Sequence, residues 1–335
     1  MSSSPSLDDY PMHENGKRKL EVLVPNKPAR KRAKLTSTSS FVRHQVWWAE
    51  DGSVFLQFGE TRMKVHRSRL AAHSMWFREL FERKGAESAE AGYPWAVVNG
   101  VDVFQLDGSG VSLTDFEAVL TALENGLNYY YTGPTFSFIA SLVRAASFFK
   151  FGAILGFATR YLEEMFPEDV GEVTKELIPI AQVTEATLLG RKCGLPQLLK
   201  RAFYELARAP GSEEPLTKEN RRANILDPND LLLISNLQKQ LTSTWLKILI
   251  SFPAAECRPP TCASSRSRAL ALSLSVVQDY HIDPICGFQE LMKMDWVKYG
   301  CCPRCRTTRI DWVMEQRDEL WDKITDWLGL DADLD

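Results

Sequence analysis

Residues 48–81 have the sequence WAEDGSVFLQFGETRMKVHRSRLAAHSMWFRELF, and the apolar periodicity changes within them. In the first half, apolar and other side chains alternate over residues 54–58 and again over 63–65, on either side of a Gly-Glu pair. Two short alternating runs around a glycine-containing connection predict a β-hairpin with one buried face.

After His66 the apolar positions follow three- and four-residue steps, which predicts helical turns with one shared face. This face contains Leu70, His73, Ser74, Phe77, Leu80 and Phe81. Ser68 and Ser74 precede periodic apolar residues, so we predict that they cap two successive short helices.

The order of these residues closely resembles the signature of the BTB/POZ family. The matching positions are Asp51, Gly52, Met63, Val65, His66, Leu70, Ser74, Phe77, Leu80 and Phe81. The Trp-x-x-Asp-Gly and His-Arg-Ser segments are most similar to those of fungal BTB proteins. The resemblance implies an α+β domain, with a small sheet flanked by helices, that binds proteins and can form a homodimer.

Periodicity over the rest of the chain predicts three regions. Residues 1–40 are rich in Ser, Pro and charge and lack apolar periodicity, so we predict a disordered arm. Residues 41–166 contain further strand-like and helical segments and are predicted to be the BTB/POZ domain. Residues 167–335 are predicted to form a mainly α-helical C-terminal region, with helices over 172–190, 195–209, 231–250 and 310–328.

Composition excludes several classes of protein. Of the 335 residues 44% are hydrophobic and 25% charged, which is typical of a globular chain. An uncharged apolar run of about 18 residues is absent from the sequence, which argues against a membrane span. The seven cysteines are an odd number in a chain without a secretory signal, which predicts reduced thiols.

The N-terminal arm has two basic clusters that resemble a bipartite nuclear import signal. The residues are Lys17, Arg18 and Lys19, followed after a gap by Arg30, Lys31, Arg32 and Lys34. An extended basic peptide can place successive cations in acidic pockets of an import carrier. The arm therefore predicts a nuclear location, with a shared nuclear and cytoplasmic distribution left open. A solvated charge run is the plainer interpretation.

Four cysteines predict a structural zinc site in the C-terminal region. Cys302 and Cys305 form a C-P-x-C turn, which directs two thiolates to one side. Cys257 and Cys262 are the predicted second pair, with Cys286, Cys301 and His281 as alternatives. Buried thiols acting as small apolar side chains are the competing interpretation.

The sequence contains no catalytic motif that predicts an enzyme. His66 and His73 lack acidic or cysteine neighbours at ligand spacing, so we expect structural roles for both. We therefore predict a non-enzymatic nuclear interaction protein that acts in transcription regulation.

Two alternative functions remain open at this stage. Some BTB proteins are substrate adaptors of cullin-type ubiquitin ligases, but residues 83–92 lack the apolar-x-Glu contact motif. A nucleic-acid-binding regulator could use the basic arm. However, the chain carries 40 basic and 43 acidic residues. Removing the arm's eight basic and four acidic residues leaves 32 minus 39, or −7, a charge that disfavours phosphate binding.

Overall fold

The computed structural model describes residues 41–83, 93–126, 129, 133–209, 226–250, 262 and 274–330. The predicted arm at 1–40 lies outside these ranges. The N-terminal elements are β1 (Val42–Trp48), β2 (Val54–Phe58), β3 (Thr61–Val65), α1 (Arg67–His73), α2 (Met75–Glu82), β4 (Trp95–Val98), β5 (Val101–Gln105), α3 (Leu113–Asn125), α4 (Phe136–Phe148) and α5 (Gly152–Met165). They are followed by α6 (Ile180–Cys193), α7 (Pro196–Arg208), α8 (Pro228–Ile250), α9 (Pro284–Lys293) and α10 (Pro303–Leu328).

The described strands form a mixed five-stranded sheet in the order β1-β3-β2-β5-β4. The predicted hairpin is confirmed: β2 and β3 are antiparallel, with Leu56 opposite Met63. The prediction of one buried face is wrong, because Gln57 and Arg62, which are opposite each other on the second face, are only 5% and 4% exposed. Strand β1 is parallel to β3, and β5 is parallel to β2. Parallel neighbours need connections that cross over, so the sheet brings together segments that are distant in sequence.

The two short helices after the hairpin are confirmed, with one correction to their caps. Ser74 precedes α2, and its Oγ accepts a hydrogen bond from the Phe77 N–H at 3.0 Å. Ser68 is not a cap, because α1 begins at Arg67 after His66, whose side chain makes no capping bond. His73, predicted on the apolar face, is exposed because it is the last residue of α1.

The N-terminal core is built mainly from aromatic and aliphatic side chains between the sheet and the helices. Phe77 is fully buried, and its ring centroid lies 5.2 Å from that of Phe149 and 5.8 Å from that of Phe116. Rings at such spacings contribute more than their buried area alone. Helix α3 begins at a capping box in which Ser112 and Asp115 satisfy each other's backbone N–H.

The C-terminal region is mainly helical, as predicted, but one boundary differs. The first predicted helix starts at residue 172, whereas α6 begins at Ile180, directly after Pro179. A proline cannot continue an established helix because it lacks the N–H and clashes with the preceding turn. The segment before it contains only a short 3-10 turn, Val170–Glu172.

Helix α7 joins two hydrophobic cores. Leu198, Ala202 and Leu206 pack into the core that includes the sheet. Phe203 and Tyr204 pack into a second core formed with α8, α9 and α10. Every residue from Leu198 to Arg208 is buried, including four charged ones. The packing is thus continuous across the predicted domain boundary at residue 166.

Within the part of the chain that the structure describes, none of the helices combines the length and the apolar character needed to cross a membrane.

Candidate functional site

Most of the signature residues found in the sequence lie in the core. Val65, Leu70, Phe77 and Phe81 are at most 7% exposed, and Ser74 is fully buried. Packing between the hairpin, α1 and α2 limits which side chains can occupy these positions. This set therefore determines the fold and offers no surface to a partner.

Two signature residues, Asp51 and Gly52, lie in the turn before β2. A Cβ added to Gly52 would lie 2.9 Å from Lys64 Cγ, so the close approach of β3 requires glycine there. Asp51 is exposed, and its Oδ1 lies 3.5 Å from Nε2 of the half-buried His66. Neither residue has the convergent neighbours of a catalytic site.

Ser74 is the buried polar position within this core. In addition to capping α2, its hydroxyl donates a hydrogen bond to the Phe149 carbonyl oxygen at the end of α4. One side chain thus fixes α2 against α4, which explains why the signature has serine among apolar residues.

Strand β1 is the most exposed part of the sheet, and the sequence analysis missed it. It pairs with β3 on one side and forms a sheet edge on the other. Val46 is 75% exposed and Val42 60% exposed, although both are apolar. The separation of Val42, His44 and Val46 by two residues was the available signal. An edge strand with exposed apolar side chains is a surface on which another strand can pair.

A cleft of about 260 Å³ adjoins the end of β1. Its apolar wall includes Val46, Trp47 and Leu120. Arg69 and Glu124 also line it, and their side chains form an ion pair of 3.0 Å. The cleft places an apolar surface with a charged margin beside the exposed strand.

Three of the four predicted zinc ligands come together in the C-terminal region. The Sγ atoms of Cys262, Cys302 and Cys305 all lie within 4.8 Å of one another. Among the described residues, this is the one group of at least three potential metal ligands with such spacing. Cys262 and Cys305 are buried and Cys302 is half-buried. The six described cysteines form no disulfide bond with one another.

The alternative ligands do not belong to this group. The Cys301 Sγ accepts a hydrogen bond from Arg309 Nη1 at 2.8 Å. His281 Nδ1 is 2.9 Å from the carbonyl oxygen of Gln278. Cys286 lies beside Arg208, and burial together with the negative charge of Asp283 raises its pKa to about 12. Its thiol is therefore protonated at neutral pH.

With these positions described, the chain can be compared with known families. The BTB/POZ domain family model matches residues 51–165, which span β2 to α5. Residues 51–165 are a BTB/POZ domain. Such domains mediate protein–protein interaction and often dimerise. No curated protein matches the chain, so the similarity to fungal members stays a prediction.

The BTB domain is linked to the helical region by an ion-paired arginine. Arg144 on α4 donates hydrogen bonds to Asp115 on α3, the shorter at 2.7 Å, and also to Glu185 on α6. Burial raises the pKa of Asp115, but the hydrogen bonds and charge of Arg144 outweigh it, so the pKa is lowered overall.

A buried ionic network beyond the BTB domain was also missed from the sequence. Arg208 is unexposed, and its guanidinium binds Glu205 at 2.8 Å and Asp283 at 2.9 Å. Burial disfavours its charge, but these carboxylates outweigh burial and raise its pKa. Arg201, four residues before Glu205, is 2.9 Å from the same carboxylate. The spacing of Arg201, Glu205 and Arg208 on one helix face was the available signal.

Several predicted residues lie outside the described ranges. These are the import-signal residues Lys17, Arg18, Lys19, Arg30, Lys31, Arg32 and Lys34, and the zinc ligand Cys257. The segment considered for the cullin-contact motif is described only at Arg83. All of these assignments stay predictions.

Proposed function

We propose that this chain is a non-enzymatic nuclear interaction protein that forms a homodimer through β1 of its BTB domain. The observation that carries the proposal is the exposed, apolar edge strand β1. A second copy of the same strand is its partner, and the helical region extends from the dimer to bind further proteins. Transcription regulation is the role that we assign to this assembly.

The pairing follows from strand geometry and symmetry. Two copies of one edge strand can pair antiparallel about a two-fold axis, so that each copy offers hydrogen-bond partners to the outer edge of the other. Val42 and Val46 then lie at the contact and lose their exposure to water. The adjacent cleft, partly lined by Val46 and Trp47, extends the apolar contact beyond the strand.

The dimer is tested with one substitution on each edge of the sheet. Val46→Asp introduces a charge twice at a symmetric interface, so we expect the dimer Kd to rise at least about tenfold, roughly 1.4 kcal/mol. Val97→Asp is the matched control, because Val97 is 53% exposed on β4 at the opposite edge. Light scattering coupled to size-exclusion chromatography measures the mass of each protein over a concentration series.

Two outcomes contradict the proposed interface. One is a wild-type chain that stays monomeric at concentrations on the order of 100 μM, well above the Kd of ordinary stable complexes. The other is an equal loss of dimer in both variants, which indicates a general effect on folding. Circular dichroism of both variants shows whether they are folded.

The nuclear location rests on the charge of the N-terminal arm. Replacing Arg30, Lys31, Arg32 and Lys34 with alanine is expected to leave a fluorescent fusion mostly in the cytoplasm, because the import carrier loses its cationic contacts. The control removes the same number of exposed basic side chains from the folded helices: Arg160, Lys192, Lys293 and Lys323. An unchanged nuclear signal in the arm variant refutes the import proposal.

A further inference from the structure

The C-terminal region contains a thiol cluster that the interaction proposal does not use. We propose that Cys262, Cys302 and Cys305 bind one Zn²⁺ ion, which fastens residue 262 to the first turn of α10. The proposal is independent of the dimer and of the nuclear location.

The positions of the three sulfur atoms fit three of the four corners of a tetrahedral site. With Zn–S bonds of about 2.3 Å, tetrahedral thiolates lie about 4 Å apart. The observed separations are at most 4.8 Å, so binding requires movements of less than about 1 Å. Cys262 and Cys305 are 5% and 7% exposed, which places the ion on the buried side of the cluster.

The start of α10 places two of the ligands close together. Cys302 is the N-cap of this 26-residue helix, Pro303 occupies the first turn, and Cys305 follows within that turn. Backbone N–H groups at a helix N-terminus have no intrahelical acceptor and carry partial positive charge. The first turn of α10 thus offers N–H donors to sulfur ligands that bind a metal there.

A backbone contact links the third cysteine to this turn. The Cys302 N–H donates a hydrogen bond to Cys262 Sγ at 3.3 Å. Hydrogen bonds from neighbouring N–H groups orient ligands and disperse the negative charge of thiolate sites. The Arg309 guanidinium binds Cys301 Sγ and lies 5.1 Å from the Trp296 ring centroid, which ties α10 to the segment that leads into the C-P-x-C turn.

The chemistry of the ligands selects the metal. Soft thiolates favour zinc over magnesium, calcium or manganese, which prefer oxygen ligands. Zinc accepts a tetrahedral arrangement without redox chemistry, which suits a structural role. The ion closes a loop of about 40 residues, from Cys262 to Cys302, that includes α9, so its binding energy contributes directly to folding of this region.

Metal analysis of the purified full-length chain tests the proposal. After expression with added zinc and removal of loosely bound metal, we expect about one zinc ion per chain. Cys262→Ser, Cys302→Ser and Cys305→Ser are each expected to lower the content to below about 0.2 ions, because a structural site needs its full ligand set. The controls Cys193→Ser and Cys301→Ser alter described thiols outside the cluster and should retain the metal.

A second measurement avoids variants that fail to fold. Co²⁺ added to the metal-stripped wild-type chain should give the thiolate-to-cobalt charge-transfer absorption and the intense visible bands of tetrahedral coordination. One equivalent of Zn²⁺ should then remove both. A wild-type chain with neither zinc nor this cobalt spectrum overturns the proposal, as does unchanged zinc content in a folded Cys262→Ser protein.

Discussion

The BTB domain and the helical region beyond it bury different chemistry at their centres. Phe77 in the BTB domain is surrounded by aromatic rings whose centroids lie 4.9 to 5.9 Å from its own. In the helical region, Arg208 and Glu205 are buried together, and a thiol cluster lies at the start of α10. Apolar contacts are non-directional, whereas an ion pair or a metal site requires each partner in place. We therefore expect the two regions to respond differently to substitution, pH and chelators.

The largest effect is expected from removing the central ring of the aromatic core. Phe77→Ala should lower the free energy of unfolding by about 3–5 kcal/mol, because the fully buried ring leaves a cavity among its neighbours. Urea denaturation followed by circular dichroism measures the change. Met75→Ala, in the same helix at a residue 59% exposed, is the control and should have little effect. A loss below about 1 kcal/mol for Phe77→Ala contradicts its central role.

A somewhat smaller effect is expected from breaking the buried ionic network. Arg208→Ala should cost about 3 kcal/mol, because it leaves Glu205 and Asp283 without this cation in a buried site. The value lies at the low end of the usual range because Asp283 is 16% exposed and Arg201 still pairs with Glu205. Arg160→Ala removes an exposed helical ion pair and should change stability by less than about 0.5 kcal/mol. Thermal or urea denaturation measures both changes. Equal losses of stability for Arg208→Ala and Arg160→Ala would show that the buried ion pairs stabilise the protein no more than an exposed one.

The polar position inside the aromatic core should have an intermediate effect. Ser74→Ala removes the cap of α2 and leaves the Phe77 N–H and the Phe149 carbonyl without these bonds, so we expect a loss of about 1–2 kcal/mol. Ser68→Ala alters an exposed residue within α1 and should be close to neutral. Comparable losses would show that serine at either position stabilises its helix by the same means.

The smallest effect concerns the link between the two regions and depends on pH. The pKa of Asp115 is lowered from 3.8 in the folded protein. Its contribution to stability is therefore complete above about pH 4 and is lost as the pH falls through the lower folded value. Asp115→Asn should remove about 1 kcal/mol at pH 7 and reduce the further loss of stability as the pH falls below about 4. Urea denaturation over this range measures both, with Asp51→Asn as the exposed control. If the stability of Asp115→Asn falls with decreasing pH as steeply as that of the wild-type chain, other carboxylates cause the loss.

The sequence predicted the hairpin and the second short helix because their signals are local. Alternation over 54–58 specifies the buried face of β2, and Ser74 lies three residues before the N–H that it caps. The missed strand β1 is mostly exposed and has a weaker alternation of apolar side chains. The helix predicted to start at residue 172 included Pro179, because periodicity alone does not show where a proline ends the helical pattern. In the structure α6 begins at Ile180, directly after this proline.

The candidate zinc site could be predicted only in part. The C-P-x-C turn is recognisable from four consecutive residues, and the structure places Cys262 beside it. The position of Cys257 and the import signal stay predictions. The spacing of the cysteines did not show which of them lies outside the cluster. Cys301 is adjacent to Cys302 in sequence, yet its sulfur contacts Arg309. That choice depends on how the long α10 helix packs against the Trp296 segment.

The sequence by itself determined the elements whose residues interact within a few positions: the hairpin, the Ser74 cap of α2 and the thiol turn. Tertiary structure decided the contacts between distant segments. It placed β1 beside β3, α7 between two cores, Arg208 against Asp283, and Cys262 against Cys302. The physical reason is that periodicity records which face of an element is buried but not what covers that face. The covering partner is selected only when the whole chain packs and each buried charge or thiol must find its neighbour.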